Sequence, residues 1–439
     1  MKYPMFWRKG RKKLPPRWLI GVTLLFILIG AAIAVYVIKS QPTSHRIATL
    51  GEKTTPTPGC SMCTCGSGHP RYVYFTLKQP DGFVLARAPR GTSGQPLGNP
   101  QPIAHFSNEF GLQESDSVLS MQLSPDACYL AIDGNGDHGE QVWIYNTQRM
   151  TLNLTPAAVM GNFLHWLPGA TSHIFLYRPM FPLGPSAAID GNRWNPGLWQ
   201  VDAATGAHKN IDISVPSAFL VDAAASPDGS HIVYSTSAGQ GMSSDIWMMN
   251  SDGSGQTHLF HTGSGVQSIA GLFAWSPDSK TIAYERLSDS PTPFLPAGLW
   301  VMNSLGSQQR RLADTDGGHG FAPAWSPDSR SIAYVVRTNT NSRIANQDTQ
   351  ALQSAIAVVD VATGRSRMVA SSAQTGMQIN ANPQWTADSS TVTFTSSNPI
   401  NRVLGGSPRY WSARVRGAQA HVRVAPLSPA ISHVIAVGG

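Results

Sequence analysis

A short segment near the amino end of the chain carries side chains that could bind a metal ion. Cys60, Cys63, Cys65 and His69 succeed one another as CxxCxCxxxH, and thiolate and imidazole groups are donors that suit Zn and Cu. The spacing differs from that of a standard zinc finger. Local or intermolecular disulfides, or idle thiols, are therefore the favoured alternative. The fourth cysteine, Cys128, falls at a strand position and is predicted to be a small buried hydrophobic residue.

A second candidate metal site is the run of oxygen-bearing side chains at Asp133, Asn135 and Asp137. Oxygen ligands at alternate positions can surround one hard cation, as in the first half of a calcium-binding loop. His138 stands where such a loop needs glycine, and Ile144 stands where it needs a bidentate glutamate. A polar hairpin loop explains the segment equally well, so calcium is one of two alternatives.

Five aspartates recur through the chain, and they are predicted to be structural rather than catalytic. Each comes directly after a proline or an alanine in a turn, where a carboxylate accepts backbone N–H bonds. They are Asp126, Asp228, Asp278, Asp328 and Asp388. The sequence has no Gly-x-Ser-x-Gly nucleophile elbow, no HExxH and no glycine-rich phosphate loop. Catalysis is therefore less favoured than binding, and no cofactor is expected beyond the Ca or Zn alternatives above.

The net charge of +7 comes from one end of the chain. Residues 1–17 hold seven basic side chains and no acid, which leaves 25 basic and 25 acidic residues in the rest. A body without net charge offers no positive surface for phosphates, so no nucleic-acid partner is expected. The basic segment is explained instead by the uncharged segment next to it.

Residues 18–38 contain no charged side chain, and 21 helical residues span about the 30 Å of a bilayer's hydrocarbon core. The run is too long for the apolar region of a cleaved signal peptide. More basic residues lie before the run than after it, and the more basic flank of a membrane span stays in the cytoplasm. Residues 1–17 are therefore predicted to be a cytoplasmic tail. Residues 39–70, rich in Pro, Thr, Ser and Gly, are predicted to be a flexible tether. This organisation indicates a single-pass protein of the bacterial plasma membrane whose body, residues 71–439, is extracytoplasmic.

The body is built from repeats. FAWSPDSKTIAYER at 273–286 and APAWSPDSRSIAYVV at 322–336 are close copies, and weaker copies begin near 121, 165, 223 and 383. In each copy an apolar stretch, a Pro-Asp turn and an alternating stretch predict a hairpin, and two further strands come after it. A four-stranded sheet cannot bury both of its faces alone, so the copies must stack around an axis. The sequence therefore predicts an all-β propeller, with aromatic residues filling the space between blades.

The number of blades depends on the two ends of the body. Residues 71–78 and 83–91 look like the second and third strands of a blade that lacks its first strand, and the apolar residues 431–437 could supply it. Pairing the two ends would leave no open sheet edge. We therefore predict seven blades, or six if residues 71–105 form a separate cap.

The repeat motifs resemble those of the TolB-like, PD-repeat propellers, a branch of the wider WD-type architecture. The resemblance rests on SPDG at 226, WSPDS at 275 and 325, and DIWMMNSDGSGQTHL from 245, and it extends over residues 71–437. It implies an extracytoplasmic protein that binds other proteins. Nothing corresponds to the domain that precedes the propeller in TolB itself, because a membrane anchor takes that place. The chain also resembles the front half of dipeptidyl-peptidase-IV-type enzymes, but it has no hydrolase domain after the propeller, so serine peptidase activity is not expected.

Long connections between second and third strands predict where a ligand binds. They fall at 178–197, 286–298, 337–354 and 397–409, and in a meander they all emerge on one rim of the ring. Arginine with aromatic residues is the mixture found at interface anchors, and the alternative is a set of solvated loops without a ligand. We predict a face that binds an envelope protein, a peptide or a glycan. The competing prediction is a lactonase- or lyase-type propeller enzyme with a metal at the central channel. The predicted contact residues are Arg178, Phe181, Arg193, Trp194, Phe294, Arg337, Arg343, Arg402 and Arg409.

Overall fold

The structure of the chain is a computed structural model. It describes residues 72–79, 82–91, 96–107, 120–136, 139–154, 161–169, 173–179, 197–211, 213, 219–238, 243–263, 267–288, 294–317, 319–398, 409–415, 422–425 and 431–437. The predicted tail, anchor and tether, residues 1–70, lie outside this set. Among the described residues no helix has the length and apolar character needed to cross a membrane.

Each sheet has four antiparallel strands and forms one blade of a seven-bladed propeller. Blade 1 combines both ends of the body, with β1 (Tyr72–Gln79), β2 (Gly82–Pro89), β3 (Gln101–Ser107) and β28 (Ile431–Val437). Blade 2 holds β4 (Ser120–Leu123), β5 (Tyr129–Gly136), β6 (Gly139–Asn146) and β7 (Thr151–Leu154). Blade 3 holds β8 (Gly161–Trp166), β9 (Ile174–Pro179), β10 (Leu198–Asp202) and β11 (His208–Ile211). Blade 4 holds β12 (Phe219–Ala225), β13 (His231–Ser237), β14 (Ser244–Asn250) and β15 (Thr257–His261).

The remaining blades have the same order of strands. Blade 5 holds β16 (Ile269–Trp275), β17 (Thr281–Leu287), β18 (Ala297–Asn303) and β19 (Arg310–Thr315). Blade 6 holds β20 (Ala324–Trp325), β21 (Ser331–Arg337), β22 (Ser354–Asp360) and β23 (Ser366–Ala370). Blade 7 holds β24 (Ile379–Trp385), β25 (Thr391–Ser397), β26 (Arg409–Arg414) and β27 (Val422–Ala425). A one-turn 3₁₀-helix at Thr349–Ala351 and a one-turn α-helix, α1 (Ser372–Thr375), lie between strands.

The ring closes through the last strand of the chain. β28 pairs antiparallel with β1, with Val73 opposite Val437 and Phe75 opposite Ile435. First strands of neighbouring blades contact one another, for example β12 with β16 and β28 with β4, so these strands surround the axis. Closure satisfies a strand edge that would otherwise be open. The predicted seven blades are therefore confirmed, and residues 71–105 do not form a separate cap.

The recurring aspartates hold the turn between the first two strands of each blade. In blade 4, Ser226 donates its hydroxyl to Asp228 Oδ1 at 2.6 Å, and the Ser230 N–H donates to the same oxygen at 3.0 Å. The same Ser-x-Asp contact recurs at Asp278 and Asp328. These carboxylates satisfy local backbone donors, so their predicted structural role is confirmed.

Tryptophans join consecutive blades. Trp275 Nε1 donates to the Ala224 carbonyl of the previous blade at 3.1 Å, and Trp325 Nε1 donates to that of Ala274 at 2.9 Å. Trp385 repeats the bond one blade further on. Each indole therefore fills the space between two sheets and ties them by a directed bond, which extends the predicted core role of these aromatics.

Replacing Trp325 by phenylalanine is expected to lower the free energy of unfolding by roughly 1–3 kcal/mol, because it removes a part-buried hydrogen bond between two different blades. Trp300 provides the matched control, since its Nε1 is buried and has no hydrogen-bond partner in the described part of the chain. Trp300→Phe should therefore cost less. Urea unfolding of both variants measures the difference, and equal losses would show that the bond itself contributes nothing.

Candidate functional site

We call the rim that carries the connections between second and third strands the long-loop face. Arg337 ends β21, Arg178 lies one residue before the end of β9, and Arg409 begins β26, so all three belong to this rim. The order of the strands places these three strand ends on the same rim of the propeller. Phe181, Arg193, Trp194 and Arg402 lie outside the described residues, and their roles stay predictions.

The connection of blade 6, residues 338–353, is an ordered loop held by its own hydrogen bonds rather than a solvated loop without internal contacts. Asn339 Nδ2 donates to the Ala351 carbonyl at 2.8 Å, and the Gln353 N–H donates to Asn339 Oδ1 at 3.0 Å. Ala345, Ala351 and Leu352 are buried together, with Phe294 of blade 5 packed against them. The loop therefore has a small core of its own, and it is shared with the neighbouring blade.

Arg337 is a positioning residue of this loop. Its side chain is 3 % exposed. Its guanidinium donates to the Phe294 carbonyl, to Asn346 Oδ1 at 2.6 Å and to the Asn339 carbonyl at 3.2 Å. Three acceptors from two connections thus converge on one cation. The sequence predicted Arg337 as a ligand contact, whereas the structure places its charge inside the scaffold of the face.

Arg178 is likewise bound within the protein. Its two terminal nitrogens donate to the Val221 carbonyl and to Asn162 Oδ1, both at 2.6 Å. It thereby ties blade 3 to the first strand of blade 4. The neighbouring Asp222 accepts the Phe273 and Ala223 N–H groups at 3.0 and 2.8 Å. Burial raises the pKa of the Asp222 carboxyl, although these donors and Arg178 oppose the shift.

Two predicted contact residues are open to solvent. Arg343 and Arg409 are exposed, and Arg343 makes no side-chain hydrogen bond with the described residues. Beside Arg343, the side chain of Ile344 is 67 % exposed at the surface of the folded loop. Sequence reasoning missed Ile344 because an isolated isoleucine in a polar loop has no distinguishing pattern. The face therefore presents a cation and an apolar side chain at adjacent positions.

A buried acidic residue lies beneath this face. Glu285 is 1 % exposed and accepts a hydrogen bond from the Thr315 hydroxyl at 2.9 Å, while its Oε1 has no partner among the described residues. Burial, with a further contribution from the charge of Asp316, raises the pKa of Glu285 well above 4.5. Asp316 itself faces His319 Nδ1 at 2.9 Å. One feature of the sequence could have indicated this residue: Glu285 is an acid at the repeat position where other copies have Ser235, Val335 and Thr395.

The candidate metal residues are only partly described. Asp133 is buried within β5, and this strand forms a hairpin with β6, as the hairpin alternative predicted. Asn135 lies on the same strand with its side chain undescribed, and Asp137 falls outside the described residues. The candidate ligands Cys60, Cys63, Cys65 and His69 also fall outside them. In the described part of the chain, no three His, Cys, Asp or Glu side chains are arranged to hold a metal ion.

Cys128 departs from its prediction. It is 6 % exposed, as a small hydrophobic residue would be, but it is disulfide-bonded. It also lies one residue before β5 rather than in a strand. Burial alone is compatible with a free thiol, so the sequence pattern could not distinguish the two.

Comparison with known proteins gives matches only at the level of structure, since no family model and no curated protein sequence matches the chain. TolB from Acinetobacter baumannii is 17 % identical with a TM-score of 0.45, over 68 % of this chain and 62 % of its own. A second TolB structure, from Agrobacterium tumefaciens, is 18 % identical with a TM-score of 0.39, over 58 % of this chain and 87 % of its own. The seven four-stranded sheets of the chain form a β-propeller fold.

An oligogalacturonate lyase in complex with manganese has the same kind of fold, with 12 % identity and a TM-score of 0.50 over 81 % of this chain and 84 % of its own. At such identities the likeness concerns the fold alone. The chain spans 62 % of the length of the Acinetobacter TolB.

Proposed function

We propose that this chain is a membrane-anchored, extracytoplasmic propeller that binds an envelope protein or peptide through its long-loop face. One observation carries the proposal: the connection of blade 6 is folded onto the face and presents Arg343 and Ile344 to solvent. Rigid loops that expose a cation beside an apolar residue lose little conformational entropy when they bind a partner.

The proposed location rests on the charge pattern of the sequence. The basic segment 1–17, next to the uncharged segment 18–38, is the pattern of an anchor whose amino terminus stays in the cytoplasm.

Site-specific photocrosslinking tests the binding face in intact cells. A photoreactive amino acid at Ile344 should give a defined crosslinked species with the full-length protein. Leu305 is the matched control, because it is 78 % exposed but lies in a turn on the opposite rim. Crosslinks of equal yield from both positions, or from Leu305 alone, would contradict the proposal. A photoreactive residue at Ile344 that stays uncrosslinked would contradict it as well.

Arg343→Glu supplies a second arm of the same experiment. Reversing this exposed charge should reduce the crosslinking yield from position 344 by about tenfold if a partner contacts the loop. An acidic group of the partner that faces Arg343 would be repelled by the new glutamate. The competing lyase-type function, with a metal at the channel, is tested on the same purified protein by metal analysis. A stoichiometric metal that survives dialysis would favour that function over a purely binding one.

A further inference from the structure

A cavity opens between blades 6 and 7 on the rim opposite the long-loop face. Its volume is about 420 Å³, within the range of small-ligand sites. Val358 of β22, Trp385 of β24 and Val415, the residue after β26, contribute its apolar surface. The Ser-x-Asp turn of blade 6 and the equivalent turn of blade 7 border it, so the cavity lies on what we call the short-turn face.

Two arginines line this cavity, and their guanidinium groups have no partner among the described residues. Arg365 directly precedes β23, Arg367 is the second residue of that strand, and both line the cavity. Both are exposed, and neither guanidinium makes a hydrogen bond or an ion pair within the described part of the chain. Arginine presents paired N–H donors that match a carboxylate in two parallel bonds. The cavity therefore offers a binding site for an anion.

The rest of the lining is suited to hydroxyl groups. Four serines and Thr363 contribute hydroxyls, and Asp328 and Asp360 contribute carboxylates. Asp360 Oδ1 accepts the N–H and the hydroxyl of Thr363 at 2.8 and 2.7 Å. These bonds lower the pKa of Asp360, so it stays ionised, and its Oδ2 remains an acceptor. A ligand that carries several hydroxyls can donate to such oxygens.

At the equivalent place between blades 5 and 6, an arginine side chain crosses the boundary. Arg310 and Arg367 occupy equivalent positions in their blades. Arg310 of β19 lies opposite Val301 of β18, and Arg367 of β23 lies opposite Val358 of β22. Arg310, however, reaches over the boundary and donates to the Val361 carbonyl of the next blade. Arg367 makes no such bond with the described residues of blade 7, and the cavity lies at this boundary.

We infer that this cavity binds a carboxylate-bearing sugar, such as a uronic acid, with the carboxylate on Arg365 and Arg367 and the hydroxyls toward the serines and Asp360. An acidic peptide fits less well, because a series of carboxylates would meet Asp328 and Asp360. This site is on the face opposite to the one proposed for the protein partner, so either can fail without the other.

Saturation-transfer NMR on the full-length protein in nanodiscs tests the inference with glucuronic acid as the probe. Glucuronic acid should bind with a Kd in the millimolar range, while glucose, which lacks the carboxylate, should bind at least tenfold more weakly. The double variant Arg365→Ala, Arg367→Ala should also weaken glucuronic acid binding at least tenfold. Arg149→Ala removes an exposed arginine from a turn on the same face and should leave the Kd unchanged.

Three results would overturn the inference. Acetate that competes as well as glucuronic acid would reduce the site to a simple carboxylate site. A short peptide of alternating glutamate and alanine that binds more tightly than the sugar would assign the cavity to acidic peptides. Equal losses of binding in the double variant and in Arg149→Ala would place the sugar elsewhere. Circular dichroism of each variant shows that the fold is kept, which the exposure of all three arginines leads us to expect.

Discussion

Replacing Arg337 by alanine is expected to lower the free energy of unfolding by roughly 2–4 kcal/mol and to open the loop at 338–353. The substitution removes the guanidinium that the acceptors of Phe294, Asn339 and Asn346 share across two neighbouring connections. Acceptors left buried without a donor cost more than an exposed bond would. The small core formed with Phe294 should then separate, and the binding face should lose its shape.

Limited trypsin digestion reads out this opening, because Arg343 is a cleavage site within the same loop. Cleavage after Arg343 should be slow in the native protein and at least tenfold faster in Arg337→Ala. Arg337→Lys should fall between the two, since an ammonium group cannot reach three acceptors with a fixed fork. Arg365→Ala, at an exposed arginine without side-chain bonds to the described residues, should change neither the cleavage rate nor the urea midpoint. An Arg337→Ala protein that resists trypsin like the native protein would contradict the positioning role.

Replacing Glu285 by glutamine is expected to stabilise the protein at neutral pH but not at acidic pH. The folded protein holds the pKa of Glu285 well above 4.5, the ordinary value that applies in the unfolded chain. At a pH between the unfolded and the folded pKa, the unfolded chain has therefore released a proton that the folded chain keeps. Stability contributed at this position is therefore lost as the pH rises through that window, at about 1.4 kcal/mol per pH unit. Glutamine has nearly the same shape and no proton to lose, so it removes this dependence.

Urea unfolding at a series of pH values from about 4 to 8 checks the sign. The difference in stability between Glu285→Gln and the native protein should be close to zero at the acidic end and should grow with pH in favour of glutamine. Asp314→Asn is the control, because Asp314 is an exposed acid on β19 of the same blade, and its surface ion pair with Arg311 is worth little. A difference that is independent of pH would show that Glu285 titrates normally in the folded state.

Several features of the binding face could be predicted because they depend on periodicity. The repeat spacing placed the turns, and the order of strands in a meander then fixed which connections share a rim. The partners of Arg178 and Arg337 could not be predicted this way. Both arginines donate to carbonyls 42 and 43 residues away along the chain, at Leu220 and Phe294, and no local pattern records such a distance. The sequence does not distinguish an arginine that is exposed to solvent from one that is hydrogen-bonded within the protein.

The candidate metal residues show a similar division. Alternating oxygen side chains at Asp133 and Asn135 suit both a calcium loop and a hairpin, and the pairing of β5 with β6 supports the hairpin alternative. Cys128 could be predicted to be buried, whereas its bonding depends on which other cysteine approaches it. The cavity between blades 6 and 7 could not be predicted from the sequence. Arg367 and Arg310 occupy equivalent positions, and they differ only in whether the side chain bonds to the next blade.

The amino-acid sequence by itself determined the all-β class, the repeat unit, the turn aspartates and the closure of the ring by strands from both ends. These properties arise from local turn chemistry and from the need of each small sheet to cover its apolar faces. Only the tertiary structure decided which arginines are free, which acid is buried and where a cavity stays open. Those outcomes depend on contacts between blades, where side chains distant in sequence compete for the same few donors and acceptors.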